Sequence, residues 1–364
     1  AGARFRNAWS TTSWSLPSQA SILSGRYPHE HGADWPRLDL NSKDPTLAEY
    51  FAGRGYVTGA FSGNAAWVTA EYLGRGFLRF QVYQLEDLLR RTTYGRAMGR
   101  VLTAVGYDAA GRGKKAPAIN VQFLEFLDDY PARPFFAYLC YMDVNQAFHH
   151  RRLNHPFWVK NAPTPEVIDA YEQGLTTLDA QLGRLFDDLE RRGVLRNTLV
   201  IVTSDHGESF GADGTTDHDP AGHGTSLYPE QTRVPMFVIA AGKVRPGQEI
   251  TQVVSTRAIP SMITHLLGLT GTPFHDAYVP EVLRPESEAE GRVPPALMTL
   301  NYNQRKVRSV IWDRWQYLRV QNAPDDREEL YDLAIDPLAT TNQAPGHPVM
   351  DPVRRILQQL LTGG

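Results

Sequence analysis

Three short stretches of this chain carry residues able to do chemistry. The first is Asp205-His206, near the end of the run Asn197 to Glu208. A carboxylate beside an imidazole can hold a divalent cation. For an isolated pair the blander reading, a turn aspartate and a packed ring, is preferred. The second is Ser15. Pro17 suits the first turn of a helix, where a missing N–H costs nothing, and Ala20 to Leu23 continue it. Ser15 then stands at or just before the helix N-terminus, facing backbone N–H groups and the positive end of the dipole. That place favours an anionic ester and a developing alkoxide. Its alternative is a plain N-cap. The third is His223, flanked by Gly222 and Gly224, which let the backbone approach a ligand closely. His218 shares the same polar loop, Gly207 to Gly224, without such support.

These residues need elements to place them. Leu199 to Val202 is a short β-branched run and reads as a buried central strand. In open α/β sheets ligands bind beyond the carboxyl ends of strands, where Asp205 and His206 stand. Pro165 to Arg192 reads as a long helix with Leu175, Leu178, Leu182, Leu185 and Leu189 on one face, ended by Gly193. Residues 1–14 read as loop or edge strand, Thr46 to Arg54 as a helix, and Tyr56 to Phe61 as a strand. Pro134 to Asp143 and Val234 to Ala240 read as buried strands, with Cys140 inside the first. Residues 85–130 are helical around a Gly- and Lys-containing loop, Gly106 to Lys115. Val253 to Leu269 reads as a helix and Gly271 to Pro295 as a linker. Three strands follow (Ala296 to Leu300, Lys306 to Trp312, Gln316 to Val320), then a helix from Val353 to Leu361.

The bulk properties exclude more than they identify. The 364 residues are 42% hydrophobic and 21% charged, ordinary for a globular protein. A net charge of -3 gives no electrostatic case for nucleic acid or an anionic membrane. One cysteine rules out an intrachain disulfide. No stretch is long and apolar enough to span a bilayer. No glycine fingerprint for a nicotinamide cofactor is present.

Read together, the motifs resemble the sulfatases, a family within the alkaline-phosphatase superfamily. Ser15-x-Pro17-Ser18-Gln19-Ala20 followed by Leu23-x-Gly25 and Tyr27-Pro28-x-x-His31-Gly32 is similar to the family's nucleophile segment. Gly55-Tyr56-x-Thr58, Thr203 to Glu208, Gly222 to Tyr228, Arg233-Val-Pro235, and Glu329 to Leu333 with Asp336-Pro337 and Asn342 follow in the family's order. The resemblance implies an α/β fold: a large mixed, mostly parallel sheet flanked by helices. It implies a catalytic domain over 1–270 and a small antiparallel subdomain over 271–364. It also implies one divalent metal, calcium by family, with manganese, magnesium or zinc left open.

By the same resemblance Ser15 is the nucleophile, or formylglycine made from it. Asp205, His206 and Ser15 would hold the metal, and His223 would contact the leaving oxygen. Gln19, Asn64 and Asn145 would contact the substrate, a small-molecule or glycan sulfate or phosphate ester. Family members carry an earlier strand ending in acidic metal ligands. Nothing here matches it, and the expectation is an N-terminally truncated sequence; a periplasmic or extracellular location stays open. The chain departs from the family in three further places. Gln19 stands where the maturation motif has Arg. The stretch Ser62 to Trp67 holds no Lys and no His. Asn145 replaces a His, and the nearby His149 and His150 read as part of a solvated basic loop. Three functions therefore stand side by side: sulfate ester hydrolysis, phosphate or phosphonate ester hydrolysis or transfer by unmodified Ser15, and a non-catalytic binding protein.

Overall fold

Strand β1 (Ala3–Trp9) buries Phe5, Ala8 and Trp9 almost completely. It lies inside a four-stranded sheet of order β5-β6-β1-β7, with β5 at Val200–Thr203, β6 at Arg233–Ile239 and β7 at Gln248–Ser255. This corrects the expectation of a loop or edge strand before residue 14. Both backbone edges of β1 are paired, antiparallel to β6 and parallel to β7. Strand β5 is the outer one. It pairs antiparallel with β6, and its four residues are half-buried. The central, buried strand expected at 199–202 is thus an edge strand among the described residues. Strand β6 alternates exposed and buried side chains, as an antiparallel strand with one packed face does.

The computed structural model describes residues 2–41, 43–82, 114–145, 165–210, 222–274, 294–302, 305–321 and 326–362. The expectations for His149, His150 and His218, and most of those for 85–115 and 271–295, lie outside these residues. By packing, the chain divides into two compact units. One joins Ala1–Pro45 to Gly193–Gly364; the other joins Thr46–Trp158 to Pro163–Arg192.

In the first unit, helix α1 (Ser15–Ser24) follows β1 and all ten of its residues are buried. Gly25, in the left-handed region at φ 71°, ends it by donating its N–H to the Ser21 carbonyl. The segment expected to be a helix from Val253 instead begins with strand β7, and the helix is shorter, Ile259–Leu266. A bulge explains the misreading. Phe5 pairs with Ile250 and Asn7 with Val253, three steps on β7 for two on β1. Ile250, Val253 and Val254 therefore show a three-and-four spacing that mimics a helix. The antiparallel layer expected near the C-terminus is present as β11-β10-β9-β8, with β8 at Ala296–Tyr302, β9 at Arg305–Trp312, β10 at Trp315–Gln321 and β11 at Arg327–Asp332. One set of its side chains packs with Trp9, Leu227 and Tyr228. Another, including Leu297, Val310, Tyr317 and Leu330, packs with Met350, Val353 and Leu357 of the C-terminal helix.

The second unit is built on a parallel sheet of order β3-β2-β4, with β2 at Val57–Ser62, β3 at Arg79–Gln81 and β4 at Phe135–Cys140. The helix before β2 is Leu47–Ala52, capped by Thr46, which accepts from the Glu49 N–H while Glu49 reaches back. Cys140 is buried as expected, but the rest of β4 is half-buried. The long helix is Pro165–Arg191. Of its leucine face, Leu185 and Leu189 are buried, Leu178 and Leu182 half-buried, and Leu175 exposed. Lys114, expected within the Gly- and Lys-containing loop, is 1% exposed, its ammonium donating to Gln122 Oε1 at 2.6 Å. Among the described residues no helix is long and apolar enough to cross a membrane.

Behind α1 lies a buried imidazole. His31 Nδ1 accepts the Ala33 N–H at 3.1 Å, so Nε2 carries the proton and faces the Pro17 carbonyl and Ser21 Oγ, both at 3.1 Å. Burial pushes its pKa down to about 3 from 6.5. Its folded pKa is depressed, so the unfolded chain takes up this proton first as pH falls. The stability is present above pH 6.5 and lost toward pH 3. His31→Gln should remove a pH dependence of at most about 1.4 kcal/mol per pH unit. Urea unfolding of both proteins between pH 7 and 5 checks this: the wild-type curve should fall more steeply.

Candidate active site

Strand direction gathers the candidate residues. β1 and β5 both run antiparallel to β6, hence parallel to each other, so their carboxyl ends leave the sheet at one edge. β1 leads through Ser10–Trp14 into Ser15, and β5 leads through Ser204 into Asp205 and His206. β6 starts at that same edge, so the segment before it, with His223, returns there. Each strand spacing is about 4.8 Å, a distance that side chains from the three connections can bridge.

Ser15 is the first residue of α1, and the residue before it, Trp14, occupies the cap position without a side-chain cap bond. The plain N-cap reading of Ser15 is thereby replaced. Its Oγ is 3.3 Å from His206 Nε2. His206 Nδ1 lies 2.8 Å from the Gly207 carbonyl, which only accepts, so Nδ1 carries the proton in the neutral ring. Nε2 then presents its lone pair to Ser15, whose hydroxyl donates. The Asp205 backbone carbonyl accepts from Ser18 Oγ at 2.5 Å, and its carboxylate Oδ2 accepts from Gln19 Nε2 at 2.9 Å. Oδ1 accepts the His206 N–H at 3.1 Å. Gln19, expected to touch substrate, donates here to Asp205.

His223 stacks on His206, with ring centroids 4.3 Å apart and planes 30° apart. Its Nδ1 is 2.7 Å from Glu208 Oε2. Ser15, Gln19, Asp205, His206 and His223 thus form one cluster within one unit. Asn64 and Asn145 belong to the other unit. Asn64 is buried, and its Oδ1 accepts from the Ala66 and Trp67 N–H groups at 3.2 and 3.0 Å, a turn built on its side chain. Asn145 is half-buried.

The spacing of the donor set suits a cation. Asp205 Oδ2 and His206 Nε2 are 3.7 Å apart, and Ser15 Oγ is 3.3 Å from the same nitrogen. Two ligands of one ion with bonds of about 2.0–2.4 Å have such a spacing. The three groups fit one side of a metal site. Among the described residues no cluster of three or more His, Cys, Asp or Glu side chains completes it.

Sequence reasoning missed two contributors. Ser18 anchors Asp205, and Glu208 partners His223; both were visible only as letters within motifs. Lys114 is a third surprise, in the other unit: its carbonyl lies 2.6 Å from where a Cβ on Gly63 would stand, next to Asn64.

Residues 1–272 match the family model described as Sulfatase. Over 180 residues the chain is 29% identical to a sulfatase from Formosa agariphila, covering 49% of this chain and 32% of that protein. A choline-sulfatase from Rhizobium meliloti is 23% identical over 402 residues, 94% of this chain and 75% of the other. Alignments with three of the curated relatives span 32%, 48% and 50% of their lengths. A solved phosphonate monoester hydrolase of Agrobacterium radiobacter superposes with a TM-score of 0.69 at 18% identity, over 99% of this chain and 88% of that one. At that identity the likeness is one of fold.

Gly207 is the tightest backbone point of the cluster. A Cβ there would stand 2.0 Å from the Glu230 carbonyl oxygen, and the Gly207 N–H already donates to the Gln231 carbonyl at 2.8 Å. Gly207→Ala must displace the carbonyl that sets the His206 tautomer. Thermal unfolding should show a loss of about 1–3 kcal/mol.

Proposed function

Because the chain belongs to the sulfatase family, we propose that it is a metal-dependent hydrolase of sulfate esters, acting through a covalent intermediate on Ser15 or on formylglycine made from it. The observation that carries this reading is Ser15 Oγ at the start of a buried helix, 3.3 Å from His206 Nε2 and beside Asp205. Asp205, His206 and Ser15 would hold the metal. When bound, it supplies charge that polarises the ester and favours the ionised Ser15 oxygen. Ser15 Oγ attacks the sulfur in line with the leaving oxygen. The first backbone N–H groups of α1 face the incoming anion. His223 gives the leaving oxygen its proton. Water then releases the group from Ser15. In the formylglycine form, the hydrate expels sulfate by breaking a carbon–oxygen bond. The substrate class is a small-molecule or glycan ester.

A second reading, phosphate or phosphonate ester hydrolysis by unmodified Ser15, is favoured by one observation. Gln19 stands where the resemblance places the Arg of the maturation motif, and its amide is used on Asp205. A neutral donor there leaves Asp205 its full charge for a cation.

The test uses 4-nitrophenyl sulfate, 4-nitrophenyl phosphate and a 4-nitrophenyl phosphonate, with calcium, manganese, magnesium or zinc supplied in turn. One ester should turn over with one metal, stop on chelation and resume on re-addition. Ser15→Ala should lower kcat by at least about 1,000-fold. Turnover that survives Ser15→Ala contradicts the assignment. No turnover and no stoichiometric metal binding would instead favour the non-catalytic binding protein.

A further inference from the structure

His223 sits in a loop, yet its ring is fixed from two sides. His206 covers one face at 4.3 Å between centroids. Glu208 Oε2 takes its Nδ1 edge at 2.7 Å. The two side chains meet because the backbones of their neighbours are clamped. The Ser209 N–H donates to the Gly222 carbonyl at 2.9 Å, and the Gly222 N–H returns the bond at 2.7 Å. In such an antiparallel bridge the flanking pair, here Glu208 and His223, points to one side. Next to it, Gly224 has φ +75°, with Trp14 Cβ 3.4 Å from where its own Cβ would stand. The ring's approach to the Ser15 turn is therefore set by backbone.

Glu208 is an unusual partner for a loop histidine. Its side chain is 8% exposed, against 22% for His223. Its other oxygen, Oε1, is buried with no hydrogen-bond partner among the described residues. A carboxylate taken out of water on these terms is costly unless it is paired, and its partner is the His223 Nδ1–H. A surface ion pair would leave both oxygens in solvent.

We propose that Glu208 is a positioning residue that holds His223 by its Nδ1–H and so makes Nε2 the atom presented to the leaving oxygen. This deepens the hydrolase reading above and rests on it. A carboxylate only accepts, so Nδ1 is the protonated nitrogen whenever the ring is neutral. In the cationic ring both nitrogens carry hydrogen. Nδ1–H stays on Glu208, and the Nε2 proton passes to the oxygen as its bond to sulfur or phosphorus breaks. The ring ends neutral, in the tautomer that Glu208 selects. Without Glu208 the neutral ring is free to take the other tautomer and to turn.

Two measurements test this on the full chain, with wild type, Glu208→Ala, Glu208→Gln, His223→Ala and the Glu208→Ala/His223→Ala double variant. The first is kinetic, with the supporting metal present. Phenyl and 4-nitrophenyl esters are compared, since a poor leaving group needs the proton and a good one does not. Glu208→Ala should lose about 100-fold on the phenyl ester and less than about threefold on the 4-nitrophenyl ester. His223→Ala should show the same split, and the double variant should be no worse than His223→Ala. Glu208→Gln, whose amide oxygen still accepts from Nδ1–H, should recover part of the phenyl rate. Equal losses on both esters, or additive losses in the double variant, overturn the proposal. The second measurement needs no turnover: nitrogen-15 shifts of labelled histidines, with His223 assigned by its absence in His223→Ala. The neutral His223 ring should be protonated at Nδ1 in wild type and shift toward Nε2 in Glu208→Ala. An unchanged tautomer overturns the role of Glu208. Failure of every ester in wild type, with the tautomer shift present, would count against the hydrolase reading alone.

Discussion

The site depends on β1 and β5 running in the same direction with one antiparallel strand between them. Reverse either one and Ser15 and Asp205-His206 leave opposite edges of the sheet. With the order β5-β6-β1, the two carboxyl ends lie about 10 Å apart across β6. The connections then close the gap: Ser18 and Gln19 reach from α1 to Asp205, and Ser15 reaches His206. β6 supplies the third contributor through the segment that enters it. The cluster is thus a consequence of strand order, tightened by a few side-chain bonds.

Backbone groups near the site also set protons. The Gly207 carbonyl decides that His206 offers a lone pair to Ser15. The Ala33 N–H decides that His31 offers its Nε2–H to the turn below Ser15. Backbone groups are rigid partners, so these histidines cannot readily change roles. Helix α1 adds the same rigidity by packing all its residues inside. A buried helix start keeps its first N–H groups out of bulk water, where they act on an anion at lower dielectric than at a surface.

Much of this was legible in the sequence. Pro17 and the run Ala20 to Leu23 marked α1 to within two residues of its ends. Asp205 and His206 were placed beyond a strand end by a β-branched run and a polar stop. The strands of the C-terminal layer were read from their apolar runs. What failed did so for physical reasons. Burial was overestimated for β5 and β4, because apolar runs report composition and not whether both faces and edges are covered. The β7 bulge hid a strand behind a helical spacing. β1 was missed because its alternation, with Arg4 and Arg6 outside, resembles an exposed edge. The contacts of Gln19 with Asp205 and of Glu208 with His223 were not legible at all. Spacing alone does not say which side chains meet across the fold; the distances to Asp205 and His223 do.

The proposed chemistry turns on the Ser15 oxygen as the atom that carries a covalent intermediate. The most direct measurement is the mass of the peptide from Ser10 to Arg26, isolated from the full protein quenched during turnover of an aryl sulfate or aryl phosphate. The expected result is an adduct of about 80 mass units, one sulfuryl or phosphoryl group, that maps to Ser15, or a loss of about two mass units if the alcohol has become the aldehyde. An unmodified Ser15 without adduct, in protein that is turning the ester over, would contradict it.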